Sequence, residues 1–277
     1  MSDKVVLITG TSSGIGLAAA VSAARAGFTT VATLRDPARA GALRTAAEAA
    51  GVALDIRRLD VTDAASVEEC VAGVIADHGR LDAVVNNAGA GHVGTIENES
   101  VDEVRQVMEV NFFGVVTVTK AVMPHLRATG GRLLTVTSVG GVIGQPFNEA
   151  YCAAKFAAEG FMESLAPVAA TVGVTVAVIE PGAVASEFVA NVGVEENAAA
   201  EAGVYGPALA HYLDRTRGAF AAAQTSEAVG EAITEALTTD RPAFRIQTSD
   251  AARAFVGAKL ADLDGSRIQT ATAAWVA

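Results

Sequence analysis

Tyr151 and Lys155 stand four residues apart in an Ala-rich run, EAYCAAKFAAEGFMESLA, whose composition favours helix. At that spacing the two side chains lie one above the other on a single helix face, a phenol beside an ammonium. A free tyrosine ionises near pH ~10, and an adjacent positive charge favours phenolate. The pairing is therefore expected to bring the hydroxyl toward acid/base work near neutrality. Ser138 closes the alternating apolar run RLLTVTS, an expected strand. That puts its hydroxyl at a strand's C-terminal edge, where α/β folds bind ligands and a carbonyl oxygen can be held. Taken alone, the Tyr-x-x-x-Lys spacing also suits a surface helix pair, and Ser138 an ordinary turn. The segments upstream decide between these readings.

Gly10, Ser12, Ser13, Gly14, Ile15 and Gly16 fall between a first strand, residues 4 to 9, and a first helix stopped by Gly27. Glycines there permit a tight turn and close backbone approach, and the helix N-terminus offers unpaired amides, so a pyrophosphate is the natural ligand. At the end of the second strand an acidic residue would bond a free ribose 2′-hydroxyl. Here Leu34 is followed by Arg35, whose guanidinium suits a 2′-phosphate and favours NADP(H), with NAD(H) as the alternative. The competing reading pairs Arg35 with Asp36.

The positioning elements follow in order. A second strand is expected at 30 to 34, then a helix capped by Asp36, with Pro37 at its first position, ending near Gly51. A third strand covers about 52 to 59, Asp63 opens a helix to His78, and LDAVVNN is a fourth strand. Ser100 and Glu103 make a capping box for a helix reaching about Arg127. Strands at 131 to 138 and 174 to 180 flank the Tyr151 helix. In that helix Pro167 cannot donate to the Glu163 carbonyl, which predicts a kink or an early end. Such alternation implies βαβ crossovers and a parallel sheet with helices on both faces.

Residues 183 to 225, with weak periodicity, read as a substrate lid with short helices. A helix at SEAVGEAITEAL, a seventh strand at AFRIQT and a helix at about 249 to 260 follow, and the end from Asp264 is expected to be loosely held. No repeat or second-domain boundary interrupts residues 1 to 277. They read as one domain, with a cofactor half to about 130 and a catalytic and substrate half from 131.

An apolar content of 51% with 5% aromatics suits an Ala/Val/Gly-rich α/β domain. Twenty basic against 31 acidic residues, a net charge of -11, argue against a nucleic-acid backbone as partner but not against a bound nucleotide. Cys70 and Cys152 have neither disulfide nor metal spacing, so no metal site is expected. No signal-like start and no uninterrupted apolar run of 18 residues occur, which predicts no membrane span and a cytoplasmic location. His78 and His92 lack acidic or cysteine partners at metal spacing and read as surface or loop residues, while His211 falls in the lid within reach of substrate. Cys152 points about 100° around the helix from Tyr151 and is expected to be packed.

With these pieces in order, the chain resembles the short-chain dehydrogenase/reductase family over essentially its whole length. The likeness rests on TGTSSGIG at 9 to 16, Asp60 in LDVTD, NNAG at 86 to 89, Asn111 in VNFFG, Ser138, YCAAK at 151 to 155 and PGAVAS at 181 to 186. It implies a doubly wound Rossmann fold with a seven-stranded parallel sheet, and a catalytic set of Asn111, Ser138, Tyr151 and Lys155. In that likeness Tyr151 is the general acid in reduction or the base in oxidation, and Ser138 bonds the same oxygen. Lys155 lowers the tyrosine pKa and binds nicotinamide ribose hydroxyls, and Asn111 holds a water that links Lys155 to solvent. Asp60 and Val61 contact adenine, and Asn87, Ala88 and Gly89 line the cofactor path. Pro181 and Gly182 turn the backbone beside the carboxamide, followed by Val184 and by Ser186, where the family more often has threonine.

Residues 205 to 275, with YLDRTRGAF, PAFRIQTSD and KLADLDGS, look like the branch that contains estradiol 17-beta-dehydrogenase type 1 and photoreceptor retinol dehydrogenase. That implies a bulky apolar alcohol or ketone. Arg215 departs from it, standing where the steroid enzyme has a substrate-facing histidine. Glu149 faces either the pocket or solvent. The other readings are a reductase of carrier-bound or small keto compounds, using Arg215 and Arg217, and a non-catalytic nucleotide sensor. The family further implies a homodimer or homotetramer built on the helices at 100 to 127 and 151 to 172.

Overall fold

Seven parallel strands form the sheet of the computed structural model, which describes residues 4–185, 199, 202–221, 223–262, 264 and 266–275. In chain order the strands are β1 (Val5–Thr9), β2 (Thr29–Leu34), β3 (Asp55–Arg58), β4 (Ala83–Asn86), β5 (Arg132–Val136), β6 (Thr175–Glu180), β7 (Val184–Ala185), β8 (Gln224–Thr225) and β9 (Arg245–Gln247). The large sheet runs β3-β2-β1-β4-β5-β6-β9, and β7 pairs with β8 separately. The order reverses between β1 and β4, so a crevice opens beyond their carboxyl ends. Helices cover both faces, which is why the strands are continuous apolar runs. Val5 and Leu7 enter one core cluster, while Val6 and Ile8 enter the other. A fully buried Leu or Ile contributes roughly 1.5–3 kcal/mol.

The helices are α1 (Gly14–Arg25), α2 (Gly41–Ala50), α3 (Ala64–His78), α4 (Val101–Met108), α5 (Gly114–Thr129), α6 (Glu149–Ala170), α7 (Gly206–Ala221), α8 (Ser226–Thr238), α9 (Asp250–Leu260) and α10 (Ser266–Ala273). The expected caps at Asp63 and Ser100 form, the latter as a complete capping box. The stretch Val101–Thr129 is long and apolar enough to cross a membrane by length and composition alone. Its inner face, with Val107, Val115, Val118, Val122 and Leu126, is packed into the core.

Several expectations need correction. Asp36 caps a short 3-10 turn, Pro37–Arg39, and α2 starts separately at Gly41. The helix expected from Ser100 to about Arg127 is broken by a π turn at Glu109–Phe113, a widening that propensity cannot reveal. α6 continues through Pro167 and ends at Ala170, so the proline sits in the last turn, where one missing donor is tolerated best. Among the described residues the lid contains a short 3-10 turn, Gly203–Tyr205, and a longer 16-residue helix, α7. The C-terminal end forms α10, and Trp275 stacks on Phe255 at 5.8 Å. An aromatic anchor that far along the chain gives no local signal.

Candidate active site

The catalytic candidates gather beyond the carboxyl ends of β4 and β5. Ser138 lies two residues past β5 and accepts from Gly140 N at 2.9 Å. Its hydroxyl also bonds Tyr151. A Cβ on Gly140 would stand 3.3 Å from both Ser138 Oγ and Tyr151 Cε1, so the bare glycine lets strand end and helix meet. Lys155, one turn further along α6, is 4% exposed and donates to Val136 O at 3.2 Å. One of its three donors is thereby used.

The charges differ from the simple expectation. Burial pushes the Tyr151 phenol up to about 12, against the pull of its Ser138 bond. Burial brings Lys155 down to about 8, opposed by the charge of Glu159. Lys155 Nζ lies 5.8 Å from the centre of the Tyr151 ring, beside the ring rather than at the oxygen. Desolvation is therefore the dominant influence on the phenol, and the opposing pull comes from Ser138.

Asn111 is fully buried in the π turn. Its Oδ1 accepts from Ala90 N at 3.2 Å, and its Nδ2 donates to Ala90 O at 3.0 Å and Val107 O at 3.1 Å. One amide donor pins the loop after β4 and the other reaches back one turn to α4. A Cβ on the intervening Gly89 would stand 2.9 Å from Asn111 Oδ1 and 3.4 Å from Lys155 Nζ, which places this residue between the two.

The glycine turn leaves β1 for α1 as expected. Gly10 has φ 71, and a Cβ there would meet Ala88 Cα at 2.7 Å. A Cβ on Gly16 would stand 2.1 Å from Gly10 O and 2.4 Å from Asn87 Nδ2. Ser13, in extended backbone, is the N-cap of α1 and makes no side-chain capping bond, so the first-turn amides beside Ser12, Gly14 and Ile15 stay open to an anion. Asn87 is half-buried beside the glycine turn. Its Nδ2 donates to Thr9 O at 2.9 Å and Gly10 O at 3.0 Å, so it braces the turn from behind.

Asp60 Oδ1 accepts from Thr62 N at 3.0 Å and Thr62 Oγ1 at 2.8 Å. The Val61 side chain points into the core, 2.7 Å from where a Cβ on Gly114 would lie. Arg35 is exposed, and its field, with that of Arg58, acts on Asp60. Asp36 accepts from Ala38 N instead of pairing with Arg35. Pro181 O accepts from Val139 N at 3.0 Å, Gly182 lies under α9, and Val184 is buried in β7. Ser186 lies outside the described residues. The donor set therefore fits a dinucleotide, with open amides for a pyrophosphate and basic side chains at its outer end.

The apolar cluster at the start of α6 was not legible in the chain. Phe147 adopts φ 57, rare for a bulky residue, and its ring lies 5.7 Å from that of Tyr212 on α7. Asn148 Nδ2 donates to Tyr212 Oη at 2.6 Å, tying the lid helix to the N-terminus of the Tyr151 helix. Ala202, Leu209 and Trp275 complete this apolar cluster. Polar spacing carries no trace of such an aromatic contact, although one Tyr in a helix with few other aromatics was a usable hint.

The remaining candidates are dispersed. Glu149 accepts from Thr95 Oγ1 at 3.0 Å. Arg215 stacks over Trp275 at 4.3 Å, Arg217 is 4.0 Å from Asp214, and His211 is exposed. His78 and His92 do have acidic partners, Asp55 at 2.8 Å and Glu99 at 2.5 Å, brought together by folding. No group of three metal-type ligands occurs among the described residues. Cys152 is buried, as expected.

Comparison with known proteins gives a consistent picture. The family model described as short chain dehydrogenase matches residues 4–197. Retinol dehydrogenase 8 of Bos taurus is 37% identical over 273 residues, 95% of this chain and 87% of that protein. The 17-beta-hydroxysteroid dehydrogenase type 1 of Homo sapiens is 38% identical over 281 residues, 98% of this chain and 85% of that protein. Among solved structures, a short chain dehydrogenase/reductase from Burkholderia phymatum in complex with NAD has a TM-score of 0.82 at 25% identity, covering 96% of this chain and 95% of its own. An alcohol dehydrogenase from the archaeon Thermococcus sibiricus complexed with 5-hydroxy-NADP has a TM-score of 0.72 at 28% identity, covering 88% and 95%.

Proposed function

Since this chain belongs to the short-chain dehydrogenase/reductase family, whose members move hydride between a nicotinamide cofactor and CH–OH groups, we propose that it interconverts a bulky apolar alcohol and its ketone using NADP(H) in preference to NAD(H). The observation that carries this reading is the hydrogen bond between the Ser138 and Tyr151 side chains, with the apolar cluster of Phe147, Leu209 and Tyr212 tied through Asn148 to the start of the same helix. Steroid- or retinoid-like compounds suit such a cluster.

The cofactor supplies the hydride. Glycine-turn amides at the start of α1 hold its pyrophosphate, and Arg35, with Arg58 across the β2–β3 pair, favours a ribose 2′-phosphate. Lys155 keeps donors for the nicotinamide ribose. Ser138 and Tyr151 both donate to the substrate oxygen, so charge building there meets positioned donors. Tyr151 then gives up its proton. A phenol pushed up to about 12 stays protonated at neutral pH and so holds the proton that reduction requires. Asn111 and Asn87 act as positioning residues that hold the loops carrying these contacts.

Titration of the protein with NADPH and NADH, alone and as Arg35→Asp, tests the cofactor assignment without a known substrate. Reduction of apolar ketones with NADPH then tests the reaction. Binding of neither nucleotide ends the proposal at its first step.

A further inference from the structure

A buried polar cluster lies one helical turn beyond Lys155 and has no part in the reaction just described. In it Glu159 on α6, Glu180 at the end of β6 and Arg245 on β9 converge. The Glu159 side chain is 5% exposed and that of Glu180 0%. Glu159 Oε2 lies 3.3 Å, and Glu180 Oε1 3.4 Å, from one atom, Arg245 Nε. That nitrogen carries a single proton, and its bond geometry directs it to Glu159. Glu180 Oε1 is left as a buried oxygen with no donor, while Gln247 Nε2 donates to Glu180 Oε2 at 2.7 Å. On the far side, Thr137 Oγ1 is 2.6 Å from Glu159 Oε1 and 3.1 Å from Ile179 O. Ile179 O already accepts from Thr137 N at 2.8 Å, so the hydroxyl proton can serve Glu159, and the oxygen without a donor is Glu180 Oε1. Arg245 Nη2 turns outward to Glu163 at 2.9 Å.

Donors and acceptors thus leave the cluster one proton short. Two buried carboxylates with one N–H between them repel, so together they hold a proton to higher pH than a free carboxyl does. We propose that Glu159 and Glu180 hold one proton between them and act as a positioning pair that sets the charge facing Lys155. The proton has two seats. On Glu180 Oε1 it is donated to Glu159. On Glu159 Oε1 it is donated to Thr137, whose own hydroxyl then serves Ile179 O. Burial, followed by the charge of Glu180, pushes Glu159 up to about 7 against the pull of Thr137 and Arg245. Burial likewise raises Glu180 against Gln247 and Arg245.

The charged groups around the pair are Lys155 and Glu163 on α6 and Arg245 on β9, with neutral Thr137 and Gln247 completing it. The charge of Glu159 favours the Lys155 ammonium. As the pair releases its proton through neutrality, negative charge grows beside Lys155 and holds that ammonium more firmly. This link to Lys155 rests on the proposed oxidoreductase reading, whereas the shared proton does not.

Infrared spectra of the whole protein in heavy water test the shared proton without turnover. The expected result is a carboxylic-acid carbonyl band that survives the ionisation of surface carboxylates and disappears through neutral pH. In Glu180→Gln the new amide can donate to Glu159, so the band is lost. Absence of the band from the wild type overturns the proposal, as does an equal band in both Glu159→Gln and Glu180→Gln. Should a variant fail to fold, carbon-13 NMR of glutamate carboxyls in the wild type decides, because the proposal requires carboxyl resonances that titrate near neutrality. With the band present, the pH profile of ketone reduction reads the link: Glu159→Gln moves the alkaline limb to lower pH, and Glu180→Gln does not. An unchanged limb in Glu159→Gln overturns the link alone. A wild type that binds nucleotide but reduces no ketone overturns the reaction assignment and leaves the shared proton standing.

Discussion

The Lys155 ammonium lies 5.8 Å from the centre of the Tyr151 ring, with Lys155 buried against the end of β5 and Tyr151 half-buried. Tyr151, pushed up to about 12, is a reservoir of one proton at neutral pH. Tyr151→Phe should cut ketone reduction by roughly 10²–10⁴-fold while leaving NADPH affinity within a few-fold of the parent. Steady-state rates and a fluorescence titration measure the two separately, and a fully active Tyr151→Phe would remove this residue from the mechanism.

Lys155 also leaves a signature on stability. Its ammonium, brought down from 10.5 to about 8, binds its proton less well in the folded protein than in the unfolded chain. The unfolded state then binds more protons between about 8 and 10.5, so stability rises with pH across that window and falls as pH drops through about 8. The full effect is on the order of 3 kcal/mol. Chemical denaturation at a series of pH values should show this slope in the wild type and its loss in Lys155→Met.

Arg35 is expected to discriminate between the cofactors. Arg35→Asp removes a charge-assisted contact with a 2′-phosphate and adds repulsion, which should weaken NADPH roughly 10- to 100-fold and spare NADH. Calorimetric titration of both nucleotides checks it. Equal weakening of the two would assign Arg35 a structural role instead.

Gly16 has no room for a side chain, since a Cβ would stand 2.1 Å from Gly10 O and 2.4 Å from Asn87 Nδ2. The first contact is with backbone, so the turn itself must move. Gly16→Ala should abolish nucleotide binding and cost about 1–3 kcal/mol of stability. Thermal unfolding with and without NADPH reports both.

Tyr212 joins the lid to the catalytic helix through the 2.6 Å bond from Asn148. Tyr212→Phe keeps the ring contact with Phe147 and removes the bond, worth about 1 kcal/mol. The expected outcome is a several-fold higher KM for a bulky ketone with little change in kcat. A kcat defect without a KM defect would place Tyr212 closer to the chemistry.

How much of this was legible depends on the range of the interaction. The glycine turn, the caps at Asp63 and Ser100, and the Tyr151–Lys155 face were readable because each is set by residues within a few positions of one another. The π turn around Asn111 was not, because it is held by Ala90, 21 residues away. Phe147 and Tyr212 escaped for the same reason, their contact being made across the lid.

The sequence by itself determined the alternation of strands and helices, the glycine turn after β1 and the shared helix face of Tyr151 and Lys155. Periodicity and spacing act locally and survive in any fold that keeps the chain order. The tertiary structure alone decided the direction in which those groups are shifted. Tyr151 is pushed up and Lys155 down because neighbours from β5 and the following turn exclude water, and desolvation is a property of surroundings rather than of spacing. It likewise brought Glu159, Glu180 and Arg245 from three separate elements around a single N–H.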